Sequence, residues 1–155
     1  MLRKYVVVDI DGTISNSEER AAKYLTPQSK DWDSFYQECG TDKPIKLVCE
    51  LVELLIANGY TPIFLTGRPE RVRDITSLWL EKNIKNYIPR KDFLFMRKNH
   101  DYTPDFEYKR TRLFNELSVL GVTPENTLVL EDRKSCVDMW REQGFTVLQP
   151  ADGNY

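Results

Sequence analysis

The sequence has a single histidine, His100, and three cysteines, Cys39, Cys49 and Cys136. The cysteines are odd in number, widely spaced and form no CxxC pair, which argues against a disulfide framework and a zinc site and fits a reducing, cytoplasmic setting. A Ser-His-Asp or Cys-His mechanism would rest on one imidazole, and His100 lies between Asn99 and Asp101, the surroundings of a solvated loop histidine. Long apolar runs are missing too. Residues 5–8 and 62–65 fall far short of the roughly 20 needed to span a bilayer, and no signal-peptide pattern follows Met1, so no membrane partner is expected. There is no GxxxxGK[ST] phosphate loop, so kinase activity is not expected, and no internal repeat or low-complexity tract. Nor does one sign of charge dominate: 22 Lys plus Arg face 24 Asp plus Glu, a net charge of -2. No overall field gathers nucleic acid, and any such partner has to be met by a local patch. Catalytic work, if there is any, falls to carboxylates.

What remains is one domain's worth of chain. A length of 155 residues should bury roughly 68–70% of the surface exposed on unfolding, so residues 1–155 read as a single domain. Five apolar runs, residues 4–9, 61–66, 92–96, 127–131 and 145–149, read as buried strands, and residues 44–58, 69–83, 106–120 and 134–143 carry helical spacing. Continuous apolar strands alternating with helices predict a three-layer α/β sandwich, a Rossmann-like parallel sheet of about five strands covered on both faces. Residues 15–42 interrupt the rhythm with two short helical stretches, 18–25 and 31–39. Placed directly after the first strand, this insertion reads either as a small cap over the strand ends or as a peripheral packing element.

Three strands run straight into polar clusters: Asp9-Ile10-Asp11-Gly12-Thr13, Thr66-Gly67-Arg68 and Glu131-Asp132-Arg133. Ligands of open parallel sheets bind outside the carboxyl ends of the strands, so the three clusters should converge on one crevice. Asp9, Asp11, Glu131 and Asp132 would repel one another there unless a divalent cation intervenes, and oxygen-only ligands favour Mg2+ together with a substrate phosphate. The Thr66 hydroxyl and the Gly67 N–H can donate to that phosphate, with Arg68 as a further substrate contact. Lys109 would complete the charge balance, although by position alone it is more often a solvated surface residue. A chance D-x-D-G-T match is expected in on the order of a few in a thousand chains of this length. The EF-hand reading fails, because that loop needs glycine sixth and glutamate twelfth, whereas Gly12 is fourth and Arg20 twelfth.

Asp9-x-Asp11-Gly12-Thr13, Thr66-Gly67-Arg68, Lys109 and Glu131-Asp132, in that order, resemble the four motifs of the haloacid dehalogenase superfamily of magnesium-dependent phosphatases. The closing stretch, from Glu131-Asp132-Arg133 through Val137-Asp138-Met139-Trp140-Arg141 to Ala151-Asp152-Gly153-Asn154-Tyr155, is similar to the phosphatase domain of phage polynucleotide kinase-phosphatases. The resemblance implies Asp9 as nucleophile forming an aspartyl-phosphate and Asp11 as general acid and base. It also implies magnesium held by Asp9, the Asp11 backbone carbonyl and Asp132, with phosphate held by Thr66, Gly67 and Lys109. Where the phage enzymes show paired aspartates this chain has Glu131-Asp132, leaving open whether Glu131 meets the metal directly or through water. A phage-encoded protein would work in the host cytoplasm.

Residues 89–112 carry seven basic and four acidic side chains, a local +3 against -5 elsewhere, interleaved with Phe93, Phe95, Tyr102, Phe106 and Tyr108. Single-stranded nucleic acid favours such a mixture, though Phe93 and Phe95 also read as strand core. The leading expectation is therefore a polynucleotide 3′-phosphatase acting on nucleic-acid 3′-phosphate ends. The alternatives are a nucleotidase on free mononucleotides or small esters, a phospho-receiver signalling module, and a non-catalytic module that binds nucleic-acid ends. Receivers, however, carry their phosphorylated aspartate on the third strand and lack a second aspartate two residues later.

Overall fold

The computed structural model of the chain describes residues 2–153, so Asn154 and Tyr155 of the closing stretch lie outside the described residues. Its core is a five-stranded sheet of β1 (Lys4–Val8), β4 (Tyr60–Pro69), β5 (Leu94–Arg97), β6 (Thr127–Leu130) and β7 (Thr146–Leu148), ordered β5-β4-β1-β6-β7. Every pairing is parallel. Successive side chains of a strand point to opposite faces, and here both faces are covered. Tyr5 and Val7 join Ile63, Leu65, Val129 and Trp140 in one apolar cluster, while Val6 and Val8 join Phe64, Leu94, Met96 and Leu130 in the other. Each face needs apolar residues, which is why β1 reads as an unbroken run rather than an alternation.

Helices α3 (Lys46–Ala57) and α4 (Arg73–Asn83) supply Val52, Trp79 and Leu80 to the second cluster; α5 (Asp105–Arg112) and α6 (Lys134–Glu142) supply Tyr108, Val137, Met139 and Trp140 to the first. The three-layer α/β sandwich predicted from the alternation is the fold. Two helical boundaries differ from expectation. Pro69 ends β4, and a 3-10 turn, Glu70–Val72, precedes α4. The stretch 106–120 is not one α-helix: α5 stops at Arg112 and the chain widens into a π turn, Leu113–Leu117, where the Ser118 N–H donates to the Leu113 carbonyl. Leu113 and Leu117 stay in the core across that turn, so the apolar spacing alone could not reveal it.

After β1 the chain leaves through β2 (Ser15–Asn16), forms α1 (Glu18–Tyr24) and α2 (Trp32–Gln37), and returns through β3 (Lys43–Pro44), which pairs antiparallel with β2. The excursion is therefore clamped at its neck. From β1 the chain builds outward through β4 to β5 and then crosses to β6 on the other side of β1. That reversal places the carboxyl ends of β4, β1 and β6 side by side, where a parallel sheet opens a crevice.

Candidate active site

Directly after β1 the chain turns sharply: Thr13, Ile14 and Ser15 each donate a backbone N–H to the Ile10 carbonyl, and Gly12, at φ 83°, donates its own to the Ser15 carbonyl. A side chain at that φ is strained, so glycine suits the position. The turn buries Thr13, whose hydroxyl lies 2.9 Å from Asp9 Oδ2 and 3.1 Å from Asp132 Oδ1 and accepts the Asp132 N–H at 3.1 Å. Thr13 thus ties the end of β1 to the end of β6.

Asp9, Glu131 and Asp132 each bring a carboxylate oxygen within 4.8 Å of the others, and all three are buried. Beneath them lies Lys109, 1% exposed. Its Nζ donates to Asp9 Oδ1 at 2.9 Å and to Glu131 Oε2 at 2.7 Å, and forms an ion pair with Asp105 Oδ2 at 3.2 Å. Burial would lower the Lys109 pKa, but Asp105, Asp9 and Glu131 outweigh it and hold the ammonium well above its ordinary value. Burial and the Glu131 charge push Asp9 well above the usual carboxylate range, against the pull of Lys109. Burial raises Glu131 as well. The three clustered side chains offer only carboxylate oxygens. An all-oxygen set of this kind suits magnesium, so the residues present fit that ion.

Asp11, two residues on, has opposite surroundings. Arg68 Nη2 donates to its Oδ1 at 2.6 Å, Arg68 Nε reaches both oxygens at 3.1 Å, and Arg20 Nη2 donates at 2.8 Å. Arg20 also grips Asp42 through Nε at 2.5 Å and donates Nη1 to the Phe35 carbonyl at 2.7 Å. Burial would raise the Asp11 pKa, but Arg68 and then Arg20 outweigh it and hold the carboxyl below its ordinary value.

Other motif residues fall as follows. Thr66 and Gly67 line the same cavity as Asp9, Asp11, Glu131 and Asp132, a space of about 930 Å³. A Cβ at Gly67 would stand 2.8 Å from Asp105 Oδ1, so a larger residue there would require the Asp105 side chain to shift. Arg68, expected to meet substrate, is 0% exposed and turned inward onto Asp11, Ser15 and Thr76; it supports Asp11 instead. Lys109, expected on phosphate, donates to Asp9 and Glu131 and pairs with Asp105. The Glu131 Oε1 accepts the Arg133 N–H at 3.1 Å while Oε2 holds Lys109.

Three residues of the site were not singled out from sequence, Arg20, Asp42 and Asp105, and Thr13 was named within its motif without a role. Asp105 could have been found, since it stands four residues before Lys109 on the same helical face and pairs with Lys109 and with Arg97 at 3.0 Å. Burial would raise its pKa, yet Lys109, Arg133 and Arg97 hold it down. Arg20 and Asp42 carry no spacing signal, because they belong to the two ends of the insertion and meet only when β2 and β3 close its neck.

The fold and these motifs define a phosphatase of the haloacid dehalogenase superfamily. The family model for the polynucleotide kinase PNKP phosphatase domain matches residues 3–155. The chain belongs to that family. A search of curated proteins finds no match. Among solved structures, a chain in the structure of the Pnkp1/Rnl/Hen1 RNA repair complex is 27% identical with a TM-score of 0.78, covering 99% of this chain and 44% of that one. A second structure of a Pnkp1/Rnl/Hen1 complex gives 27% identity and a TM-score of 0.77, covering 99% and 48%. The present chain thus spans under half the length of those two relatives. A predicted phosphatase from Clostridium acetobutylicum, 13% identical with a TM-score of 0.69 over 96% of this chain and 85% of its own, shares the fold.

Proposed function

We propose that the chain is a magnesium-dependent phosphomonoesterase that works through an aspartyl-phosphate on Asp9 and removes 3′-phosphates from nucleic-acid ends. The observation that carries the reading is the meeting of Asp9, Asp11, Thr66, Gly67, Glu131 and Asp132 on one cavity wall, with Lys109 directly beneath Asp9. Asp9, Asp132 and the Asp11 carbonyl would hold magnesium, with Glu131 beside them, and the bound ion would offset phosphate charge and polarise a phosphoryl oxygen.

The Asp9 carboxylate attacks phosphorus, the bond from phosphorus to the 3′ oxygen breaks, and the protonated Asp11 gives its proton to that oxygen. Water then attacks the aspartyl-phosphate, passes a proton to Asp11, and frees inorganic phosphate and Asp9. The Thr66 hydroxyl, which accepts the Arg68 N–H at 3.1 Å, keeps its own hydrogen for a phosphate oxygen, as does the Gly67 N–H. Lys109 favours the ionised form of Asp9, against burial and the Glu131 charge, and holds the carboxylate in place. The arginines on Asp11 favour its ionised form, which suits the water-activating half-reaction, and make protonation for the first half-reaction the step opposed by rising pH.

Membership of the polynucleotide kinase phosphatase family and the likeness to a chain of an RNA repair complex support nucleic-acid ends as substrate. The cavity, near the top of the roughly 300–1,000 Å³ usual for ligand sites, leaves room for more than a phosphate. The test is steady-state phosphate release from 3′-phosphorylated DNA and RNA oligonucleotides compared with 3′- and 5′-mononucleotides. The expected result is higher kcat/KM for the oligonucleotides; a clear preference for mononucleotides makes the protein a nucleotidase.

A further inference from the structure

The wall of the cavity facing the carboxylates is aromatic, and the catalytic chemistry leaves it unused. Trp32 and Tyr36, one turn apart on α2, stack at 6.0 Å with ring planes 24° apart, and Phe35 meets the Trp32 ring edge-on at 5.7 Å. The Arg71 guanidinium lies 5.9 Å from the Tyr36 ring centre, and its Nη2 reaches Asp33 at 2.7 Å, tying α2 to the end of β4. Trp32 lines the cavity and is nevertheless 42% exposed, whereas the other two tryptophans, Trp79 and Trp140, are buried. An indole packed against two neighbours, lining the cavity and partly exposed, is a preformed stacking surface with little entropy left to lose.

Exposed Lys98 lines the same cavity and has no ion-pair partner among the described residues. Aromatic surface beside cationic side chains and next to a phosphate site is the recognition chemistry of single-stranded nucleic acid, in which bases stack and basic side chains follow the backbone. A bare sugar phosphate or small aliphatic ester has nothing to offer the indole.

We propose that Trp32, backed by Tyr36, is the stacking subsite for the terminal nucleobase of a single strand whose 3′-phosphate lies at Asp9. The proposal rests on the polynucleotide reading and deepens it by naming the part of the substrate that the insertion reads. Tyr36 carries the platform toward the catalytic carboxylates. Burial, followed by the Asp11 charge, pushes its phenol up to about 12, so it stays neutral throughout the working range.

The test is a cycle of two enzymes and two substrates: wild type and Trp32→Ala, on 3′-phosphorylated oligonucleotides ending either in a normal nucleotide or in an abasic one. Wild type is expected to lose about tenfold in kcat/KM when the base is removed, within the roughly 5- to 150-fold that one stacked base is worth. Trp32→Ala should lose about the same factor on the intact end and almost nothing more on the abasic end, since the two changes remove one interaction. Trp32→Phe, which keeps a ring, should recover most of the loss. Equal losses by Trp32→Ala on both ends, or no loss on either, overturn the subsite.

A binding measurement separates this proposal from the activity it rests on. Trp32 is the exposed tryptophan, so a 3′-hydroxyl oligonucleotide, which cannot be turned over, should quench part of the protein's fluorescence, and the abasic version or the Trp32→Phe protein should show no such quench. Failure of wild type to release phosphate from any oligonucleotide defeats the polynucleotide reading. Absence of a base-dependent quench defeats the stacking subsite whatever the hydrolysis assays show.

Discussion

Replacing Lys109 with methionine keeps the stem and removes the charge from the most crowded electrostatic site in the molecule. Lys109 contacts Asp9, Glu131 and Asp105 within 3.2 Å and is sealed from water. Removing one partner of a buried pair costs about 3–5 kcal/mol, because the remaining charge is left uncompensated; at roughly 2–4 °C per kcal/mol for a domain of this size, Tm should fall by about 6–20 °C at neutral pH. The sign of the pH dependence discriminates between causes. Asp9 and Glu131 already have folded-state pKa values above their ordinary ones, and losing the ammonium raises them further. Groups raised in the folded state weaken stability as pH climbs through and above their unfolded values, so the deficit should be small near pH 4 and widen toward pH 7. Magnesium should then restore more stability to Lys109→Met than it adds to wild type, while kcat stays down by about 10²–10³-fold. Thermal unfolding at several pH values, with and without magnesium, reads this directly. A Tm deficit equal at pH 4 and pH 8 and indifferent to magnesium would mean that Lys109 matters for packing, and the electrostatic account would be wrong.

Wild type at neutral pH should gain about 2.7 kcal/mol, or about 5–10 °C in Tm, from magnesium at a hundred times its Kd; Asp132→Ala should abolish the gain, as should acidification that protonates Asp9 and Glu131, and a gain that survives in Asp132→Ala would remove that residue from the metal site. Asp9→Asn should eliminate phosphate release while leaving folding intact, and full turnover in that variant would refute the nucleophile assignment. Asp11→Asn should cut kcat severely and also lower stability, because Arg20 and Arg68 lose a charged partner; an unchanged Tm would show the pairing to be energetically idle. Gly67→Ala forces a methyl to within 2.8 Å of Asp105 Oδ1, so stability should drop by about 1–3 kcal/mol in chemical denaturation, and a neutral result would mean that Asp105 moves aside freely.

Much of the architecture was legible because its causes are local. The unbroken apolar run at β1 reports a strand covered on both faces, and Asp9 and Asp11 stand immediately after it because a strand end is where a parallel sheet exposes polar groups. Lys109 could be nominated but not placed: nothing in its neighbourhood says that an ammonium from α5 will be sealed under Asp9, 100 residues away. Arg68 misled for the same reason. Beside Thr66 and Gly67 it reads as a hand for substrate, yet the register of β4 on β5 shifts between Leu65 and Pro69, and the Arg68 guanidinium ends against Asp11. Trp32 lay within the stretch 31–39 that read as helical and was not singled out. Its exposure inside a cavity is a tertiary property with no spacing of its own.

Asp9 and Asp11 are chemically alike and two residues apart, and the fold makes them different by what it places around each. Around Asp11 the account closes without help: Arg20 and Arg68 face Asp11 and Asp42, two charges of each sign joined by direct hydrogen bonds. Around Asp9 the carboxylates of Glu131 and Asp132 crowd in, and burial and the Glu131 charge raise its proton affinity against the pull of Lys109. A cation held by this cluster would favour the ionised form of Asp9, while the Asp11 side chain, already faced by Arg20 and Arg68, would stay available to exchange a proton. Environments that push two neighbouring carboxyls apart in proton affinity divide the roles between them. Here the division comes from Arg20 and Asp42 of the insertion as much as from the sheet, so closing the neck of the insertion and setting the second aspartate are one structural event.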